Sequence, residues 1–137
     1  MKTLKIRELT FEAAHYLANH PVCGVIHGHT YFIRDLEIFF DEEKFVDFAL
    51  IKGAIRAFDH KFFIPQEHNI DWAMFSFSKL GIGKNTVETQ GNPTVENISE
   101  LIENSLLSID GVMDVSFELY EGPNQGVCVV PDLLKGL

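Results

Sequence analysis

This sequence is short of positive charge. Its 137 residues hold 11 Lys and Arg against 20 Asp and Glu, a formal net charge of −9. Nucleic acid and anionic membrane surfaces need a basic face, so neither is an expected partner. An anionic small molecule is not excluded, because a local cluster can oppose the global sign. Cysteine is scarce too, with only Cys23 and Cys128. That excludes a disulfide-rich secreted scaffold, and a free thiol at Cys23 is the simpler expectation. No apolar run approaches a membrane span, and no cationic start followed by an apolar run resembles a signal peptide. The expected compartment is therefore the reducing cytoplasm. A single tryptophan stands against twelve phenylalanines, so the core is expected to be rich in Phe rings. No repeat, low-complexity tract or linker breaks the chain. Residues 1–137 read as one domain, long enough for a real core.

What is present is patterned. "LKIRELTFEAAHYL" places Leu4, Ile6 and Phe11 in rough alternation and predicts a strand with one disturbance near Leu9. "HTYFIRDLEIFF" is rich in β-branched and aromatic residues and predicts a second strand. In "DFALIKGAIRAF", Phe48, Ile51, Ile55 and Phe58 recur at three- and four-residue steps, a helical stripe with Asp47 as N-cap. "NPTVENISELIENSLLSIDG" predicts a second helix, with a polar start at Thr94, a stripe of Ile98, Leu101, Ile102 and Leu106, and a stop at Gly111. "VMDVSFELY" and "GVCVV" predict two last strands joined by the turn-rich "EGPNQ". The stretch 73–90, with Gly81 and Gly83, is a candidate hairpin. The order predicts an α+β domain with a mainly antiparallel sheet.

Two histidines stand one residue apart in "VCGVIHGHTY". On a strand, His27 and His29 leave the same face and can reach one metal. His15 ends the preceding strand, which a hairpin-like connection brings alongside. Three neutral imidazoles suit Zn²⁺ and leave its fourth position open. The plain alternative is a pair of ordinary strand histidines. His20 and His68 read as surface residues. Cys23 is either a small buried side chain or, beside a cation, a thiolate able to act as base or nucleophile. Asp59 next to His60 either complements a helix end or orients an imidazole for proton transfer. Glu121, after an apolar strand, is either a turn carboxylate or an anchor for a ring with adjacent N–H donors.

Taken together, these pieces resemble the 6-pyruvoyl-tetrahydropterin synthase and 6-carboxy-tetrahydropterin synthase family. The matching blocks stand in the family's order: "FEAAH", "CGVIHGHTY", "VDF", "FDHKFF", "NPTVEN" and "LYEGPNQGVCV". The resemblance implies His15, His27 and His29 as zinc ligands. It implies Cys23 as catalytic cysteine working with Asp59 and His60, Glu121 as the holder of the pterin ring, and Thr94 and Glu96 in the pterin pocket. It implies the tunnelling fold, with a four-stranded antiparallel sheet and two helices per subunit. The family assembles as two stacked trimers, a homohexamer, with active sites at subunit boundaries.

The implied substrate is 7,8-dihydroneopterin triphosphate. The implied enzyme is a zinc-dependent lyase. The short C-x₃-HGH spacing favours the branch that forms 6-carboxy-5,6,7,8-tetrahydropterin for queuosine and 7-deazaguanine. A 6-pyruvoyl-tetrahydropterin synthase, an aldolase-like or epimerase activity on neopterin, and a non-catalytic zinc- and pterin-binding homologue are the alternatives. Three features depart from the family pattern: Tyr16 where an arginine is common, Gly122 where a threonine usually follows the glutamate, and a long segment between His60 and Pro93.

Overall fold

A computed structural model describes residues 2–17, 26–66 and 85–132. Strand β1 (Thr3–His15) pairs antiparallel with β2 (His27–Phe40), from Thr3 opposite Phe39 to His15 opposite His27. Helix α1 (Phe48–Arg56) is followed by β3 (Lys61–Pro65). Then come β4 (Thr86–Thr89), helix α2 (Val95–Leu107), β5 (Val112–Glu121) and β6 (Gly126–Val129). Among the described residues the sheet has six strands in the order β4-β3-β1-β2-β5-β6.

The four expected strands form the antiparallel part of this sheet. Two more, β3 and β4, extend it, with β3 parallel to β1 and β4 parallel to β3. The sheet is therefore mixed rather than four-stranded and antiparallel. "KFFIP" escaped notice because it is short and has no alternation; Phe62, Phe63 and Pro65 are all buried. Of the candidate hairpin at 73–90, residues 73–84 lie outside the described residues. Its far end is β4, a parallel strand rather than an arm of a described hairpin.

The disturbance expected near Leu9 is real and shared by both long strands. Ile6 and Leu9 both pack against the core, and Ile33 and Leu36 are fully buried. Between them each strand turns two successive residues away from the core, Arg7–Glu8 and Arg34–Asp35. Asp35 takes φ +52° there, and the pairing of β2 with β5 shifts register between Arg34 and Glu37.

Both helices cover one face of the sheet. Ile51 and Ile55 of α1 and Ile98, Ile102 and Leu106 of α2 join Phe11, Tyr31, Ile33, Phe117 and Leu119 in one core cluster. Each such side chain, fully buried, stabilises the fold by about 1.5–3 kcal/mol. The caps are the predicted ones: Asp47 accepts from Ala49 N, and Thr94 accepts from Asn97 N. Helix α2 ends at Leu107, and Gly111 sits further on with φ +92°, in the turn into β5. None of the described helices is long and apolar enough to cross a membrane.

Ile102 lies where α2 meets the sheet and is 0% exposed. Ile102→Ala is expected to cost about 2–5 kcal/mol, lost transfer energy plus a residual cavity. Urea denaturation measures it, and a loss under about 1 kcal/mol would show that α2 does not share the core.

Candidate metal centre

The β1–β2 register places the histidines. His15 stands opposite His27, and Ala13 opposite His29, so alternation puts all three imidazoles on the helix-covered face of the sheet. One ring nitrogen from each lies within 4.8 Å of the others. His15 Nε2 is 2.9 Å from His27 Nε2. Glu121 ends β5 directly across from Tyr31 of β2. Its Oε1 lies 3.1 Å from His15 Nε2 and 3.3 Å from His29 Nε2.

His15 is buried, and its Nδ1 lies 2.7 Å from the Pro93 carbonyl. A carbonyl only accepts, so Nδ1 carries the proton and Nε2 is the atom left for the centre. His29 Nε2 is buried and has no hydrogen-bond partner; its contact with Glu121 lacks the alignment of one. Burial pushes the His29 imidazole towards its neutral form, against the opposing pull of the Glu121 charge. Neutral imidazole is the ligating form. His15 Nε2, His27 Nε2 and Glu121 Oε1 thus crowd together, and the buried His29 Nε2 beside them has no hydrogen-bond partner. Either a proton on one imidazole or a cation must stand among them, and two or three imidazoles with a carboxylate are the donor set of a divalent first-row metal. The residues present therefore fit a metal ion.

Hydrogen bonding with His15, available when its Nε2 also carries a proton, holds the Glu121 carboxyl below the usual glutamate range, outweighing the upward push of its half-burial. Tyr31 is fully buried, with its hydroxyl 3.4 Å from His15 Nδ1. Burial, then the Glu121 charge, keep that phenol protonated.

Beside the centre opens a pocket of about 350 Å³ lined by His15, Thr94, Val95, Glu96, Glu121 and Gln125, among others. Thr94 and Glu96 reach it from the first turn of α2. The structure thus joins six of the nine site residues expected from the sequence: His15, His27, His29, Glu121, Thr94 and Glu96.

Asp59 and His60 are paired with each other instead. His60 Nδ1 lies 2.9 Å from Asp59 Oδ2, and Asp59 Oδ1 accepts from the Glu12 backbone N–H at 2.8 Å. That backbone bond, then His60, lower the Asp59 carboxyl. His60 holds φ +59°, and its ring is 79% exposed. It lines a depression with Glu12, Ala14, Gly28 and Thr30, residues of the sheet's other face; His29 is the one residue that this depression shares with the histidine cluster. Cys23, His20 and His68 lie outside the described residues. Tyr16 packs against Phe62 in a small cluster of its own, and Gly122 takes φ +78° and donates its N–H to Thr30 O.

Two contributors went unremarked in the sequence. Tyr31 follows His29 by two residues, so strand alternation alone puts it beside the histidines. The Pro93 carbonyl carries no sequence signal, since any residue has one.

The family model for 6-pyruvoyl tetrahydropterin synthase matches residues 5–131. The chain belongs to this family. A Methanocaldococcus jannaschii protein provisionally named 6-carboxy-5,6,7,8-tetrahydropterin synthase is 40% identical over 68 residues, 44% of this chain and 41% of that one. The match therefore spans under half the length of that relative. A catalytic-residue mutant of Plasmodium vivax 6-pyruvoyltetrahydropterin synthase superposes with TM-score 0.59 at 20% identity, covering 94% of this chain and 98% of that one. The Plasmodium falciparum 6-pyruvoyl tetrahydropterin synthase superposes with TM-score 0.58 at 15% identity, covering 93% and 96%. At such identities the likeness shows the fold, and the tunnelling fold expected for the family is the one observed.

Single His27→Ala and His29→Ala variants are expected to lose bound divalent metal, whereas Cys128→Ala, exposed on β6, keeps it. Elemental analysis after dialysis checks this. Full occupancy in both histidine variants would remove the cluster from consideration.

Proposed function

We propose that this protein is a zinc-dependent lyase acting on 7,8-dihydroneopterin triphosphate and forming 6-carboxy-5,6,7,8-tetrahydropterin, a precursor on the queuosine and 7-deazaguanine route. The observation that carries the proposal is the cluster of three imidazoles with the Glu121 carboxylate beside it, next to a pocket at the start of α2 that His15 and Glu121 line. The family match supports the pterin substrate. The name of the M. jannaschii relative and the three-residue gap between Cys23 and His27 support the 6-carboxy product. The 6-pyruvoyl product, with loss of triphosphate alone, is the second reading; the family's own name favours it.

His15, His27 and His29 would hold the zinc, and the Pro93 carbonyl fixes which nitrogen His15 offers. Bound there, zinc supplies Lewis-acid polarisation of the substrate's side-chain oxygens. The ionised Glu121 accepts hydrogen bonds from adjacent N–H groups of the pterin ring and orients it. Thr94, whose oxygen already caps α2, retains a hydroxyl hydrogen to donate, and Glu96 forms part of the wall. Cys23, as thiolate, removes a proton from the side chain. His60 is the complementary donor: Asp59 takes its Nδ1–H and leaves Nε2 facing outward for the exchange.

Asp59 and His60 belong to the exposed face that a neighbouring subunit would meet. The assembly proposed is the family's homohexamer, with each site completed across a boundary and the short edge strands β4 and β6 covered. The compartment proposed is the cytoplasm.

The deciding experiment incubates zinc-loaded protein with 7,8-dihydroneopterin triphosphate and identifies the products by mass. Loss of triphosphate with a two-carbon aldehyde supports the first reading, and loss of triphosphate alone the second. Unaltered substrate would overturn both. Cys23→Ala is expected to keep zinc and melting temperature while turnover falls by about 10²-fold or more, the scale for losing a general base. Shared sites add a further expectation. Cys23→Ala and His60→Ala, each inactive, should regain activity when dissociated and reassembled together, up to about one quarter of wild type for random pairing. No recovery would place both groups within one chain.

A further inference from the structure

A carboxylate whose only task is to hold a ring has no reason to stand among the histidine nitrogens, yet Glu121 does. Its Oε1 is 3.1 Å from His15 Nε2 and 3.3 Å from His29 Nε2, while His15 Nε2 is 2.9 Å from His27 Nε2. Ligand atoms held about 2.0–2.1 Å from a tetrahedral zinc stand about 3.3 Å from one another. The carboxylate oxygen thus keeps the spacing of a ligand, and it does so towards two of the three histidines at once. The surroundings hold it there. Tyr31, 0% exposed, stands directly opposite Glu121 on β2 and walls in its inner side. The Glu121 backbone is fixed by pairing with Tyr31 on β2 and by its N–H to Gln125 O at 2.9 Å. Only the side chain is free to swing. The other side of that swing is the pocket lined by Thr94, Glu96 and Gln125.

We propose that Glu121 is a fourth ligand of the resting metal centre and gives up that position when a pterin ring arrives. The proposal rests on the three-histidine metal site argued above and adds to it a cap. The ring's adjacent N–H groups and the metal compete for one carboxylate. A closed set of four protein ligands is the arrangement of a structural site, and a set of three leaves the position that catalysis needs. Glu121 passes the centre from the first arrangement to the second, and it does so only when the ring is in place. A hydroxylated small molecule without the ring leaves the centre capped.

Cobalt(II), titrated into metal-free protein and followed by its visible absorption, reads the coordination directly. The expected result is a four-coordinate spectrum in wild type. Glu121→Gln should then bind cobalt about 10-fold or more weakly, by competition with a chelator, and with an altered spectrum. Unsubstituted pterin, which has the ring but no side-chain hydroxyls, should shift the wild-type spectrum towards that of Glu121→Gln. Equal cobalt affinity and identical spectra in the two proteins would overturn the fourth ligand while leaving the histidine site standing. A wild-type spectrum unmoved by pterin would overturn the release, and this arm needs no variant to fold. Absence of cobalt binding by wild type would instead fell the metal site itself, and the cap with it.

Discussion

The centre depends on one register, His15 opposite His27 across β1 and β2. Because side chains alternate along a strand, a slip of one residue would send His27 and His29 to the other face. Several features hold the alignment. Phe11 and Tyr31 stack with ring centroids 5.0 Å apart and planes 7° from parallel, two positions along the ladder from the Ala13–His29 pair and on the same face. The paired kink is a second lock. Ile6 lies opposite Leu36 and Leu9 opposite Ile33, so the two interruptions coincide only in this alignment. A uniform alternation could slide by two residues and keep its faces; an interrupted one cannot.

The centre also ties together parts of the chain that are distant in sequence. The Pro93 carbonyl, one residue before the cap of α2, fixes the tautomer of His15 at the end of β1. Tyr31 of β2 stands directly opposite Glu121 of β5. The start of α2 is thus positioned twice, by its apolar face on the sheet and by its carbonyl on a histidine. In a chain with net charge −9, an additional half-buried carboxylate at this point is unfavourable unless something positive stands beside it.

Much of this was legible in the sequence, for definite physical reasons. β1, β2 and the β5–β6 hairpin announce themselves by alternation and turn residues, and both helices by three-and-four spacing with Asp47 and Thr94 at their starts. The His-x-His pair names its own face once the strand is granted. β3 and β4 were not legible, because a parallel strand needs no adjacent turn and "KFFIP" has no polar face to alternate with. Neither was the Pro93 contact, since backbone carbonyls leave no trace in side-chain chemistry. Glu121 could be read as a turn carboxylate or as an anchor; only the distances to His15 and His29 tell where its oxygen sits. The placement of Asp59 and His60 required the fold, because it turns on which face of a sheet the end of α1 arrives at.

His60 carries a backbone conformation, φ +59°, that a side chain makes unfavourable by about 1–2 kcal/mol. Glycine would adopt it freely. With the role proposed for its ring, the position sets stability against chemistry within one residue: a chain tuned only to persist would have no imidazole there. The strain also separates two kinds of substitution. Alanine inherits the left-handed backbone and removes only the ring, whereas glycine removes the ring and relaxes the turn together. A glycine variant that is sturdier than its parent and yet inert would be the expected signature of a residue kept for what its ring does.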